Sequence, residues 1–292
     1  MATAIYRLGY LSDDFTKQIA GSQAFQTLIG RIQGAWNLFD GRGIANMLWA
    51  IAKLRAHVTC FKELLPGLTE RLAPVADTMN AQNVANTFWS AAVLKKEVPS
   101  LGNLSPRLIK AAHKQAPIMK PQDFSNIVWA LAVLRLNGEE IQGLLGTLSR
   151  EAAEKVGSFE PQHLANTCRG LAQLEVQDHT LMALIADEAV NKATRWRNKG
   201  LSYDLPEIIW AHARVGLNGS KLLEVAAQRL PSVIRRLPDW YLCALVWSYI
   251  KLDPDKAHAD FRKQLRVEVT RRSLDAQAVK RARLGPEAWT AE

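Results

Sequence analysis

Residues Phe124–Leu134 read FSNIVWALAVL, and similar stretches recur along the chain. The other copies are IANMLWAIAKL at Ile44–Leu54, VANTFWSAAVL at Val84–Leu94, LANTCRGLAQL at Leu164–Leu174, LPEIIWAHARV at Leu205–Val215 and LCALVWSYIKL at Leu242–Leu252. They align on Trp49, Trp89, Trp129, Arg169, Trp210 and Trp247, at intervals of 40, 40, 40, 41 and 37 residues. A fixed period of this length indicates an array of stacked supersecondary units.

Each copy has the pattern of a helix. Numbered from the aligned residue, apolar or small residues fall at −5, −4, −1, 0, +3 and +5, which gives one broad apolar stripe. A polar turn and a second amphipathic stretch follow each copy, as in Ile141, Leu144, Leu145 and Leu148. No strand-like alternation is found. The sequence therefore predicts an all-α fold, an α-solenoid with a right-handed superhelix, built from six helix–turn–helix repeats of about 40 residues.

The period also predicts the domain organisation, a single solenoid domain over residues 1–292. Its parts are a half-repeat over 14–39, repeats over 40–80, 81–120, 121–160, 161–202, 203–238 and 239–272, and a C-terminal cap or tail over 273–292. A single amphipathic helix is expected over 14–33, and a basic helical segment over 256–283. Asp40 to Gly43 predicts a capped helix start, and Pro121 and Pro161 are expected in the first turns of their helices.

Small residues stand at +1 and +3 of the motif, as Ala130 and Ala132 do, and would let a neighbouring helix approach closely. The tryptophan at position 0 is expected to fill the space that this packing leaves elsewhere. Cys60, Cys168 and Cys243 are far apart and include no CxxC pair, so neither a disulfide framework nor a zinc site is expected. We interpret the cysteines as core residues of a protein from a reducing compartment.

Charge favours a polyanionic partner. The chain has 37 Lys and Arg against 28 Asp and Glu, a formal net charge of +9. No apolar run reaches the ~20 residues that cross a bilayer, so no membrane partner is expected. The first residues show neither a secretory segment nor a clear organellar presequence.

The stretch PQDFSNIVWALAVL, with the amphipathic helix after it, resembles the octotricopeptide repeat. The resemblance covers residues ~40–250; it is strong in four repeats and weaker in the last two, where Glu207 and Ala244 replace the asparagine. It implies an α-solenoid that binds single-stranded RNA, about one nucleotide per repeat. It also implies work in chloroplasts or mitochondria, in transcript stability, processing, translation or ribosome structure.

Polar motif positions are the first candidates for RNA contact. Asparagine stands at −3 as Asn46, Asn86, Asn126 and Asn166, and position −7 holds Arg42, Gln82, Gln122 and Gln162. Positions −7, −3, 0 and +4 share a helical face, so stacking would align these amides in a ladder. Amides donate and accept hydrogen bonds, which suits base edges or a peptide backbone. The alternative is a structural role, in which each asparagine bonds a neighbouring backbone or an indole N–H.

Positions that vary between repeats are candidates for reading bases. Position −6 holds Gly43, Asn83, Asp123, His163, Asp204 and Tyr241, and position −2 holds Met47, Thr87, Ile127, Thr167, Ile208 and Leu245. Lys53, Lys95 and Arg135, near the ends of the motif helices, would bind phosphates or complement the helix dipole. Arg169 occupies a core position, where it must be paired or must reach the groove, and we favour the groove.

Nothing in the sequence predicts catalysis. The six histidines are scattered, and neither a metalloprotease nor a hydrolase nor a phosphate-loop motif is found. We therefore expect a non-enzyme without cofactor or metal that binds single-stranded or ribosomal RNA, alone or with other subunits of a ribonucleoprotein. The alternative is an armadillo-like scaffold that holds a peptide or a partner subunit in its groove.

Overall fold

The computed structural model describes residues 2–11, 13–20, 22–55, 61, 63–102, 105–176 and 178–286. Every regular element in these ranges is helical, as predicted. The α-helices are α1 Ala2–Leu8, α2 Asp13–Ala20, α3 Gln23–Gln33, α4 Gly41–Leu54, α5 Leu65–Val75, α6 Ala81–Val93, α7 Pro106–Gln115, α8 Pro121–Leu134, α9 Glu139–Lys155, α10 Pro161–Gln173, α11 His179–Ala193, α12 Leu205–Val215, α13 Ser220–Arg229, α14 Asp239–Leu252, α15 Ala259–Arg271 and α16 Ala276–Ala282. Among the described helices, none combines the length and apolarity needed to traverse a bilayer.

The six motif copies form α4, α6, α8, α10, α12 and α14, and each is followed by a second helix. The small residues at +1 and +3 in the first four motif helices, such as Ala130 and Ala132, are buried as predicted. Cys168 and Cys243 are free and buried, which confirms their assignment to the core. Cys60 lies outside the described residues.

The chain divides into two compact units, Met1–Leu148 and Ser149–Glu292. In the first unit α4 lies beside α6, and α6 beside α8. In the second unit α10 lies beside α12, and α12 beside α14. Within each unit, successive motif helices thus pack on one another, as the helices of neighbouring repeats do in repeat proteins.

The N-terminal prediction needs correction. The single helix expected over 14–33 is two helices, because Ser22 adopts an extended conformation and its hydroxyl caps α3 by accepting the N–H of Phe25. The basic segment over 256–283 is helical, as predicted, and consists of two helices, α15 and α16. Ser273 adopts a left-handed conformation with φ 57° after α15, and the Asp275 side chain then caps α16.

A recurring entry turn was not predicted. A single 3₁₀ turn precedes α6, α8 and α10, and it is followed by one buried apolar residue, Met79, Met119 or Phe159. The next residue is an extended N-cap, and the helix begins. Pro121 and Pro161 are the first residues of α8 and α10, as expected. This turn places the −7 side chains at the N-terminal ends of the motif helices.

Candidate nucleic-acid interface

In the first unit, residues at −7 and −3 lie on one accessible face. Gln82 and Gln122 are exposed, Asn46 and Asn126 are half-buried, and Asn86 is 9% exposed. Gln82, Asn86 and Gln122 line a common groove of about 350 Å³ at the N-terminal ends of α6 and α8. The structure therefore brings together the amides of neighbouring repeats in this unit.

These asparagines do not have the structural hydrogen bonds that we considered as the alternative. Within the described residues, the side chains of Asn46, Asn86, Asn126 and Asn166 form no hydrogen bond. The glutamines at −7 also form none there. None of these amide atoms is among the fully buried, unbonded polar atoms of the described residues, so they remain open to water or to a ligand. The ladder is thus a set of unused donors and acceptors.

The tryptophans share this face and are not core residues. Trp49, Trp89 and Trp129 are half-buried, which corrects the expectation that they fill the interior. The Lys53 ammonium lies 5.8 Å from the ring centroid of Trp49 and 5.4 Å from that of Trp89. A cation beside two indoles combines phosphate attraction with surfaces on which bases can stack.

The N-terminal helix α1 covers the first of these indoles. Tyr6 and Tyr10 lie with their ring centroids 4.8 and 5.0 Å from that of Trp49. A Cβ atom on Gly9 would lie 2.5 Å from the Trp49 ring, so the backbone itself approaches the indole. The hydrogen bond of 2.6 Å between the two tyrosine hydroxyls, followed by burial, raises the pKa of Tyr6 to about 12.

The variable positions have local structural roles. At −6, Asn83, Asp123 and His163 each accept the backbone N–H of their own N-cap residue, at 3.4, 3.0 and 3.2 Å. Asn83 and Asp123 are also buried, and Asp123 lines the same groove as Asn86. The −2 side chains are buried in all six repeats, so they face the core and not a ligand.

The basic residues separate into two groups. Arg42, Lys53 and Arg135 are exposed. Lys95 donates from its Nζ to the carbonyl oxygen of Val133 at 2.9 Å, near the end of α8. Lys95 therefore complements the C-terminal end of the next motif helix, which was the alternative to phosphate contact.

In the second unit, the equivalent face is closed by its own side chains. Arg169 donates to the Glu207 carboxylate at 2.9 Å, and the two side chains are 12% and 6% exposed. The Tyr241 hydroxyl donates to the same carboxylate at 3.0 Å. The preference for Arg169 as a groove residue is thus corrected: it is paired, as a buried guanidinium requires.

The C-terminal helix α16 covers a further part of this face. Trp210 is fully buried, and its indole N–H donates to the Ala282 carbonyl at 2.9 Å. Arg214 lies 5.7 Å from the Trp210 ring centroid and donates to the Arg283 carbonyl. In this unit the accessible ladder residues are Gln162, which is exposed, and Asn166, which is half-buried.

Gln162 lines a pocket of about 440 Å³ at the N-terminal end of α10, together with Asp204. Burial, and then the charge of Glu207, raise the pKa of Asp204 to about 7, while Lys199 lowers it. The sequence analysis did not predict this pocket. The one signal that could have indicated it is the interval of 41 residues between Arg169 and Trp210, against 40 in the preceding repeats. No group of metal-ligating side chains occurs within the described ranges.

Comparison with known families yields a match over the repeats. Residues 56–234, more than half of the chain, match the family described as the Tbc2 translation factor, N-terminal domain. None of the curated proteins compared with the chain matches it. The matched stretch includes α6 to α12, and therefore both the amide groove and the Arg169–Glu207 pair. The chain belongs to the family of the Tbc2 translation factor N-terminal domain.

Proposed function

We propose that this protein is a non-catalytic factor that binds single-stranded RNA through the accessible amides and indoles and acts in translation. The observation that carries the proposal is the unused hydrogen-bonding capacity of Asn86 and Asn126 beside the half-buried Trp89 and Trp129. Amides can pair with base edges, and indoles can stack on base faces. A peptide backbone would also satisfy the amides, so the charge of the chain has to distinguish the two partners.

Charge supports an RNA partner over a neutral peptide. The net charge is +9, and Lys53 lies beside two of the indoles. Binding that neutralises phosphates weakens steeply with salt, so the affinity should fall as salt is raised.

The available surface favours a short RNA segment. Trp49 is covered by two tyrosines, Trp210 is buried and Arg169 is paired, so fewer than six repeats have a free indole face. A short footprint gives limited sequence discrimination. We therefore propose that the protein works with other subunits of a ribonucleoprotein, on a transcript or on ribosomal RNA.

The family match supports a role in translation, because the matched family is a translation factor. The resemblance to the octotricopeptide repeat supports a site of action in a chloroplast or mitochondrion. We include both in the proposal, with transcript stability and processing as related activities.

Binding of a fluorescent, random-sequence single-stranded RNA tests the proposal. We expect the double variant Asn86→Ala, Asn126→Ala to bind about tenfold or more weakly, because each lost base contact is worth ~1 kcal/mol or more. Asn191→Ala, at an exposed helical position away from the ladder, is the matched control. Absence of RNA binding by the native chain at low salt would refute the proposal, and retention of an extended peptide under those conditions would favour the scaffold alternative.

A further inference from the structure

The start of α12 departs from the other repeats. There α12 is preceded by a π-helical turn, Gly200–Asp204, whereas α6, α8 and α10 are preceded by a 3₁₀ turn and an extended N-cap. The interval between aligned residues is also one longer here, at 41. Single π turns occur frequently at functional sites because they insert a residue without ending the helix.

The inserted segment forms one wall of the 440 Å³ pocket in the second unit. The opposite wall is the first turn of α10, with Glu160, Pro161 and Gln162. A volume of this size is in the range of small-ligand sites and can hold one nucleotide. The N-terminal end of α10 adds the positive end of a helix dipole.

Cations outnumber carboxylates in the pocket lining. Lys192, Arg195, Arg197 and Lys199 line the pocket together with Glu160 and Asp204, so four basic side chains stand against two acidic ones. Lys192 is already engaged, because its Nζ donates to the carbonyl oxygens of Gly157 and Phe159. Arg195 and Arg197 are exposed, and neither forms an ion pair within the described ranges. Two guanidinium groups are thus available for an anion.

The apolar part of the lining is rigid. Trp196 is 6% exposed, and the Cβ position of Gly200 would lie 3.4 Å from its side chain. The indole N–H of Trp196 has no hydrogen-bond acceptor among the described residues. A buried donor without an acceptor is uncommon.

We propose that this pocket binds a nucleoside phosphomonoester, presented as the phosphorylated end of a single-stranded RNA. A terminal phosphate carries about −1.5 to −2 charges at neutral pH, which matches the excess of basic over acidic side chains in the pocket lining. Two arginines can bind its oxygens in the bidentate manner. An internal phosphodiester carries a single charge, so it matches the four basic side chains of the lining less well than a terminal phosphate does. This inference rests on the proposed function.

Oligonucleotides that differ only at their ends test the inference. We would measure the affinities of a 5′-phosphorylated, a 3′-phosphorylated and an unphosphorylated RNA of one sequence, and of adenosine monophosphate. One phosphorylated RNA should bind about tenfold or more tightly than the unphosphorylated RNA. The variant Arg195→Ala, Arg197→Ala should abolish that difference and leave the affinity for unphosphorylated RNA almost unchanged. Arg235→Ala, Arg236→Ala removes two exposed arginines elsewhere in the same unit and should preserve the difference.

The possible failures are distinguishable. Equal affinities for all three RNAs would overturn the inference while the proposed RNA binding stands. Binding of adenosine monophosphate that depends on Arg195 and Arg197, without RNA binding, would support the phosphomonoester site and overturn the proposed function. Absence of binding by every ligand would overturn both.

Discussion

In the first unit Trp89 is half-buried and the Asn86 side chain, which lines a groove, forms no hydrogen bond within the described residues, whereas in the second unit residues at the corresponding positions, Arg169 and Glu207, join in an ion pair of 2.9 Å. The helices that hold these residues have the same position in their repeats. The backbone arrangement therefore does not decide whether the face is open. The side chains at positions 0 and −3 decide it.

Segments outside the six repeats also cover a motif tryptophan in each unit. The tyrosines of the first ten residues cover Trp49, and α16 accepts the indole hydrogen bond of Trp210. One motif tryptophan in each unit thus contributes to packing, while Trp89 and Trp129 keep exposed area. Substitution should consequently affect stability most at the packed tryptophans and RNA binding most at Trp89 and Trp129.

The largest effect is expected for Trp210→Ala. It removes a fully buried indole, its hydrogen bond to Ala282 and its edge contact with Trp240. We expect the free energy of unfolding to fall by about 3–5 kcal/mol. Urea denaturation measures this, with Trp210→Phe as the control that keeps a ring and loses the hydrogen bond. A loss below ~1 kcal/mol would contradict the assignment of Trp210 to the core.

The closed face also predicts a pH dependence through Asp204. Its pKa is raised to about 7, first by burial and then by Glu207, so the folded state holds a proton that the unfolded state releases. Stability must therefore fall as pH rises from about 4 to 7 and remain lower above pH 7. Asp204→Asn should be more stable than the native chain at pH 8 by about 4 kcal/mol, and similar to it near pH 4.

Thermal unfolding across this pH range provides the measurement for Asp204. The control is Asp255→Asn, which changes an exposed carboxylate of the same unit. The control should give a difference from the native chain that hardly depends on pH. If Asp204→Asn behaved like the control, the carboxyl group would not be desolvated.

Trp89→Ala should affect binding more than folding. The indole is half-buried, so less apolar area is lost than at Trp210. Loss of a stacking surface should weaken RNA binding by about 1–2 kcal/mol, roughly tenfold. Trp89→Phe should retain most of the affinity, because a phenyl ring also stacks. Unchanged affinity in the alanine variant, with the fold intact, would remove the indole from the proposed interface.

The sequence predicted the helices well because the period repeats the same apolar pattern six times. The burial of Ala130 and Ala132 followed from their size at a close helix approach. The prediction that the motif tryptophans lie in the core was wrong for Trp49, Trp89 and Trp129, which are half-buried. An apolar residue at position 0 widens the apolar stripe of the helix, but it need not be buried. Which edge of a stripe meets a neighbour depends on helix packing, and a single helical pattern does not contain that information.

The site was harder to predict for the same reason. Variation at −6 suggested specificity, but Asn83 and Asp123 share a capping role that several residue types can fill. The Arg169–Glu207 pair joins residues 38 positions apart, so only the packed structure reveals it. In contrast, the amide ladder needed only the period and the helical repeat, which is why the groove contains Gln82, Asn86 and Gln122 as expected.

The smallest effect is expected for Arg135→Gly, a change that distinguishes relief of backbone strain at Arg135 from loss of a ligand contact. This residue ends α8 with φ 55°, and the next N–H, of Leu136, donates to the Leu131 carbonyl at 3.1 Å. Glycine adopts this left-handed conformation without strain, so Arg135→Gly should stabilise the fold by about 1 kcal/mol. In the second unit Glu175 has φ 57° at the same motif position, and Glu175→Gly is the matched control without a lost cation.

Both glycine variants should thus raise the midpoint of thermal unfolding. If Arg135 contacts a phosphate, Arg135→Gly should also weaken RNA binding by roughly twofold to fivefold and reduce its salt dependence, because one counterion fewer is released. Glu175→Gly should leave both properties unchanged. Equal RNA affinities of the two variants would assign Arg135 to solvent and confine the interface to the amides, the indoles and Lys53.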